Sequence, residues 1–155
     1  GHAIATLIAA CPPLDPNSIY CNLLQCTHFA DTCIVAEKDG AIEGWISGYR
    51  PPSDPDALFI WQVAVDERAR GCGLGVTMLG ALINRPATAS ATRMLTTITP
   101  SNLASRRMFA RFAQSHTADL RAGPGFDDKR HFGGGHESEE LITICPLRPR
   151  TITTI

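Results

Sequence analysis

Arg70-Gly71-Cys72-Gly73-Leu74-Gly75 is the stretch whose residue types and spacing point most directly to chemistry, because it joins an apolar run to an amphipathic one. Glycine lets a backbone approach a ligand closely, since no Cβ intervenes. A helix opening at such a turn offers unpaired N–H groups and the positive end of its dipole, a combination that binds phosphate. Two familiar nucleotide turns fail on spacing. The dinucleotide fingerprint needs a third glycine where Val76 stands, and the P-loop needs a Gly-Lys pair that the chain lacks. The turn is therefore a phosphate site of another kind, or a simple tight turn.

Other clusters carry less. His136 has too few ligand-type neighbours to argue for a metal. The six cysteines show no C-x-x-C pair and no matching histidine spacing. Several lie in apolar runs, which suits small buried residues in a reducing compartment. A formal net charge of −1, with positive residues scattered apart from Arg106, Arg107 and Arg111, argues against nucleic acid as a partner. No stretch approaches the ~20 apolar residues that span a bilayer, and no secretory leader pattern is visible. The expectation is a cytoplasmic protein that uses no metal and engages no membrane.

The elements that must position these residues follow from pattern. A chain of 155 residues fits one domain, read here as 1–148 with a dispensable tail at 149–155. The first dozen residues show no strong periodicity. From Leu14 a helix is expected, with Asp15 or Asn17 as N-cap and Tyr20, Leu23, Leu24, Thr27 and His28 on its face. Residues 32–37 read as a strand, Lys38-Asp39-Gly40 as a turn, and 41–49 as the returning strand. The run 58–65 is apolar enough for a strand buried on both faces. After the glycine turn, Val76, Met78, Leu79, Leu82 and Ile83 recur at helical spacing as far as Asn84. A strand over 93–99, a helix over 102–112 and a last strand over 141–145 complete an α/β (α+β) domain, a central mixed sheet flanked by helices. On pattern alone, Trp61 is a core residue, Asp15 a cap, and Glu137 to Glu140 a solvated run.

The turn resembles the pyrophosphate-binding turn of the GNAT acetyltransferases, Arg/Gln-x-x-Gly-x-Gly/Ala, through Arg70, Gly73 and Gly75. Trp61-Gln62-Val63-Ala64-Val65 before it and Asn102 beyond the next strand fit the same resemblance. It implies the GNAT fold, acetyl-CoA as co-substrate, and cofactor contacts from Val63, Val65, Arg70, Gly71, Gly73, Leu74, Gly75 and Asn102. It also implies that the Val63 N–H stabilises the oxyanion; such a donor contributes about 3–4 kcal/mol.

A second resemblance is to the diaminobutyrate acetyltransferases of ectoine biosynthesis. It is carried by Leu14-Asp15-Pro16-Asn17-Ser18-Ile19-Tyr20, Cys26-Thr27-His28-Phe29, Phe59 to Asp66, Thr96 to Pro100 with Asn102, and His136-Glu137. It implies a small diamine as acceptor, acetylated on its 4-amino group by direct attack on the thioester. Asp15, Tyr20, Trp61, His136, Glu137, Glu139 and Glu140 would bind that substrate, and Tyr20, His136, Glu137 and Val63 would serve catalysis. A homodimer is implied as well. One departure stands out: many members of the superfamily carry Tyr seven residues after the helix-opening Asn, where this chain has Phe109, which has no proton to donate. Another small amine, a protein N-terminus, or a non-catalytic acyl-CoA-binding role are the competing expectations.

Overall fold

The computed structural model describes residues 1–147, and the tail at 149–155 lies outside them. A six-stranded mixed sheet in the order β1-β2-β3-β4-β6-β5 separates two helical layers. Its strands are β1 (Ile34–Lys38), β2 (Ala41–Tyr49), β3 (Ala57–Val65), β4 (Arg93–Ile98), β5 (Asp119–Phe126) and β6 (Glu139–Cys145). Only β3 and β4 run parallel.

On one face lie α3 (Leu74–Ile83) and α4 (Leu103–Ser115). They seal the main core, in which Leu58, Leu79, Leu82, Met94, Phe112 and Ile144 have no exposed surface. Removing a fully buried aromatic ring leaves a cavity as well as losing its transfer free energy. Phe112→Ala is therefore expected to lower the unfolding free energy by about 3–5 kcal/mol, read from urea denaturation.

On the other face lie α1 (His2–Ala9) and α2 (Ile19–Thr27). The first of these escapes pattern reading, because Ile4, Leu7 and Ile8 make only one turn of apolar spacing and no side chain caps the helix. Those three side chains nevertheless bury against Trp45 and Ala64.

Helix α2 corrects two expectations. Its N-cap is Ser18, whose Oγ accepts from the Cys21 N–H at 3.1 Å, so Asp15 and Asn17 stay in the loop before it. Its inward residues are Asn22 and Gln25, whereas Tyr20 and Leu23 face outward. The apolar pattern does not choose the buried face here: Asn22 Oδ1 lies 3.5 Å from Asn17 Nδ2, while among the described residues Asn22 Nδ2 and both ends of the Gln25 amide find no hydrogen-bond partner.

The turn at Asp39-Gly40 has both residues at positive φ, 52° and 78°, which matches the twist of the β1–β2 hairpin. Besides α1, two further elements lie outside the pattern reading. One is β5, an exposed edge strand interrupted by Gly123, Pro124 and Gly125; the other is the short helix α5 (Asp128–Phe132). Proline is tolerated at a sheet edge because no inner neighbour needs its missing N–H. The six cysteines are free thiols. Cys11 and Cys33 are buried as expected, and burial pushes the Cys33 thiol up; Cys72, in the glycine turn, is exposed instead.

Candidate active site

Strands β3 and β4 pair only over Ala57–Arg93, Leu58–Met94 and Phe59–Leu95. Beyond Phe59 they part, and over 60–65 β3 has β2 as its sole sheet neighbour, with Trp61 unpaired. A cleft of about 1260 Å³ opens along this divide, lined there by Val63, Thr96, Thr97, Ile98 and Thr99. A β-strand with one free edge presents N–H and C=O groups to any extended chain laid beside it.

The glycine turn follows at the end of β3. Asp66 holds a short helical turn over 67–69: its Oδ1 accepts from the Arg68 N–H and from Arg68 Nε, both at 2.9 Å. The Arg68 guanidinium keeps the Asp66 carboxyl down at about 2, so this clamp is ionised at any working pH. Gly71 and Gly73 sit at φ +81° and +82°, in the left-handed region where a side chain is strained. Gly73 opens α3 without a side-chain cap, which leaves the first-turn N–H groups for a ligand. Gly75 serves packing as well: a Cβ there would stand 2.5 Å from Met108 Sδ of α4. Arg70 Nε donates to the Val65 carbonyl at 3.0 Å, tying the turn to the strand. That carbonyl is thus engaged within the protein; Val63 lines the cleft, and Val65 does not.

The same cleft runs on to a second group of residues. A β-bulge leaves Trp61 without a partner on β2, between the pairs Gly48–Ile60 and Ser47–Gln62. The extra residue reverses the alternation of β3. Leu58 and Ile60 join the core under α3 and α4, Val63 continues on that side, and Gln62 and Ala64 turn to the other. Trp61 is 47 % exposed and lines the cleft. Tyr20, 70 % exposed at the start of α2, lines it too.

Across from them stands the segment 135–139. His136 Nδ1 lies 2.6 Å from the Glu137 carbonyl, which can only accept, so Nδ1 carries the proton and Nε2 is the basic nitrogen of the neutral ring. That Nε2 faces Asp15 Oδ2 at 3.7 Å and Glu139 Oε1 at 4.0 Å. The Phe132 ring supports the imidazole with centroids 4.5 Å apart. Asp15, His136 and Glu139 therefore meet in one place although they come from the α1–α2 loop and the start of β6.

Glu137 and Glu140 are placed differently. Both oxygens of Glu137 accept from Ser101, from its N–H at 3.3 Å and its hydroxyl at 2.5 Å, so this carboxylate latches segment 135–139 to the turn before α4. Glu140 pairs with Arg106 of α4 and lies outside the cleft lining. Asn102 caps α4 by accepting from the Ser105 N–H at 3.1 Å, and it lines the cleft as well. Phe109 is buried beneath the cleft, one turn below Ser105, another lining residue.

Pattern reading missed Asn17, Ser101, Phe126 and Phe132, all of which line the cleft. Only the Asp-Pro-Asn-Ser run around Asn17 carries a signal, and by pattern that signal is a helix cap. Among the described residues the lining holds three carboxylates, of Asp15, Glu137 and Glu139, against the single guanidinium of Arg50. Arg50 is itself engaged by the carbonyls of Ala87 and Pro55. The acceptor end of the cleft is thus acidic and aromatic, which suits an ammonium-bearing ligand. Among the described residues no group of three or more His, Cys, Asp or Glu is arranged to hold a metal, and no helix is long and apolar enough to cross a membrane.

Comparison with known proteins agrees with this geometry. The family model for the acetyltransferase (GNAT) family matches residues 2–113. The L-2,4-diaminobutyric acid acetyltransferase of Methylotuvimicrobium alcaliphilum is 46% identical over 148 residues, covering 96% of this chain and 86% of the relative. That of Vibrio parahaemolyticus is 47% identical over 148 residues, covering 96% and 81%. Among solved structures, diaminobutyrate acetyltransferase EctA from Paenibacillus lautus, in complex with its substrate L-2,4-diaminobutyric acid and coenzyme A, superposes with a TM-score of 0.89. It is 38% identical, and the match covers 94% of this chain and 88% of that one. With the parted strands, the glycine turn and the acidic cleft in place, the chain belongs to the GNAT acetyltransferase family and, within it, to the L-2,4-diaminobutyric acid acetyltransferases.

Proposed function

We propose that the chain transfers acetyl from acetyl-CoA to the 4-amino group of L-2,4-diaminobutyrate, by direct attack of the amine on the thioester, in ectoine biosynthesis. The observation that carries this reading is the continuity of one cleft from the free edge of β3 to the group formed by Asp15, His136 and Glu139. The pantetheine arm lies along the parted strands, beside Val63 and the α4 N-terminus at Asn102. The pyrophosphate rests on the turn from Arg70 to Gly75. The Val63 N–H donates to the thioester oxygen as it becomes an oxyanion.

The acceptor binds at the acidic end, against Trp61 and Tyr20. Its reacting 4-amino group has a solution pKa near that of lysine, ~10, so it must lose a proton first. His136 Nε2 is the acceptor this geometry offers, because its Nδ1 proton is committed to a carbonyl. Holding amine and thioester together supplies much of the remaining rate, since effective molarities reach about 10⁵–10⁸ M. As the C–S bond breaks, the thiolate takes its proton from Tyr20 or water, because Phe109 has none to give. Free thiols, Cys72 exposed among them, suit the reducing cytoplasm, and a homodimer is the assembly proposed.

A thiol-release assay with acetyl-CoA and a panel of diaminobutyrate, ornithine, lysine and spermidine tests the reading, with NMR of the product. Rapid turnover of diaminobutyrate to the 4-acetyl product, and far slower turnover of ornithine, is expected. Tight coenzyme A binding without turnover of any diamine would sink it.

A further inference from the structure

Gln62 is a polar side chain in an otherwise apolar strand, and only 7 % of it is exposed. Both ends of its amide are spent on one loop. Nε2 donates to the Asp15 carbonyl at 2.8 Å, and Oε1 accepts from Asn17 Nδ2 at 2.6 Å. Asn17 Nδ2 also lies 3.5 Å from Oδ1 of Asn22, a fully buried residue of α2. Among the described residues, the backbone of 15–17 makes no hydrogen bond to the rest of the protein other than the one Gln62 supplies. The bulge at Trp61 is what turns Gln62 to this face; without the extra residue the strand would send it toward the core under α3 and α4.

We infer that Gln62 is a positioning residue for the acceptor half of the site, fixing the loop that carries Asp15. The loop has little else to hold it, and Asp15 Oδ2 must stay within 3.7 Å of His136 Nε2 to share one ligand with it. The same tether sets where α2 begins, one residue past Asn17 at its Ser18 cap, and so where Tyr20 stands. The cofactor half draws on Val63, the glycine turn and Asn102 instead. Loss of the tether therefore separates the two substrates kinetically. Binding energy of a positioned loop is lost when the loop wanders, even if every contacting side chain is intact.

The inference rests on diaminobutyrate being the acceptor, and its test is built so that the two stand or fall apart. Gln62→Leu keeps the bulk and removes the amide. Assayed well below its melting temperature, it is expected to lose 10- to 100-fold in kcat/KM for diaminobutyrate, with the KM for acetyl-CoA unchanged within twofold. If Gln62 acts through Asp15, the change is nearly silent on an Asp15→Ala background, because residues in one network couple. Full additivity of the two substitutions, or an equal loss toward acetyl-CoA, would overturn the inference. If the leucine variant does not fold, Asn17→Ala removes the Oε1 half of the tether from the loop side and must show the same kinetic split and coupling, at smaller size. Should the wild type fail to turn over diaminobutyrate, the acceptor reading falls. The tether is then judged by amide hydrogen exchange at Leu14, Cys21 and Asn22, whose hydrogen bonds flank the loop and must open more often in the variant; unchanged exchange there would overturn it.

Discussion

Gly73→Val is expected to weaken coenzyme A binding about 10- to 100-fold while leaving the KM for diaminobutyrate close to the wild-type value. Gly73 lies at φ +82°, and nothing stands within 4 Å of the Cβ it lacks, so the obstacle is backbone conformation rather than crowding. A β-branched residue held in that region costs about 1–3 kcal/mol, and 1.4 kcal/mol is a factor of ten. The chain relieves that strain by rotating the peptides that open α3, which turns the first N–H groups away from the pyrophosphate. Gly40→Val is the control, because Gly40 has φ +78° and equally open surroundings but sits in the distant β1–β2 turn. Both variants should lose stability to a similar degree, whereas only Gly73→Val should lose affinity by calorimetric titration with coenzyme A. Equal affinities in the two variants would remove the turn from the cofactor site.

The second large effect is expected at His136. Removing a positioned proton acceptor lowers kcat by about 10²- to 10⁴-fold, so His136→Ala should fall in that range with the acetyl-CoA KM intact. The pH dependence carries the more specific signature. Without an acceptor in the site the amine must shed its proton to bulk water. The variant's log kcat/KM should therefore climb with unit slope toward about pH 10, while the wild type levels off earlier. Glu137→Gln separates the two neighbours. Its carboxylate already accepts two hydrogen bonds from Ser101, and a glutamine retains one oxygen able to accept. A loss of less than about tenfold is expected there; a drop as deep as that of His136→Ala would make Glu137 the proton acceptor and His136 its support.

Apart from α1, β5 and α5, the order of strands and helices is legible in residue types a few positions apart, as are the hairpin turn and the glycine-rich helix opening. The strand 41–49 coincides with β2, and the helix after the glycine turn ends one residue short of Asn84. Asn102 opens α4 as its side chain suggests. Local signals of this kind work because periodicity, capping and turn chemistry act over one or two turns of chain. They falter where a segment's partners are remote. Asn22 and Gln25 face inward on α2 because of what lies beneath that helix, and β5 forms across Gly123, Pro124 and Gly125 because β6 supplies its ladder.

The candidate site divides in the same way. The glycine turn of its cofactor half is one continuous segment, so Arg70, Gly73 and Gly75 carry their meaning in their spacing. Its acceptor half is assembled from the α1–α2 loop, a bulged residue of β3 and the approach to β6, and only tertiary structure decides that these meet. Composition supplied the residue types, and resemblance to relatives named several of them. A single extra residue at Trp61 then reverses which side chains of β3 look toward the α1–α2 layer. A one-residue change of register exchanges the two faces of a strand, and where it falls depends on the neighbouring strand. That is why Gln62 reads as one more position in an apolar run, yet in the folded chain it holds the loop on which Asp15 reaches His136.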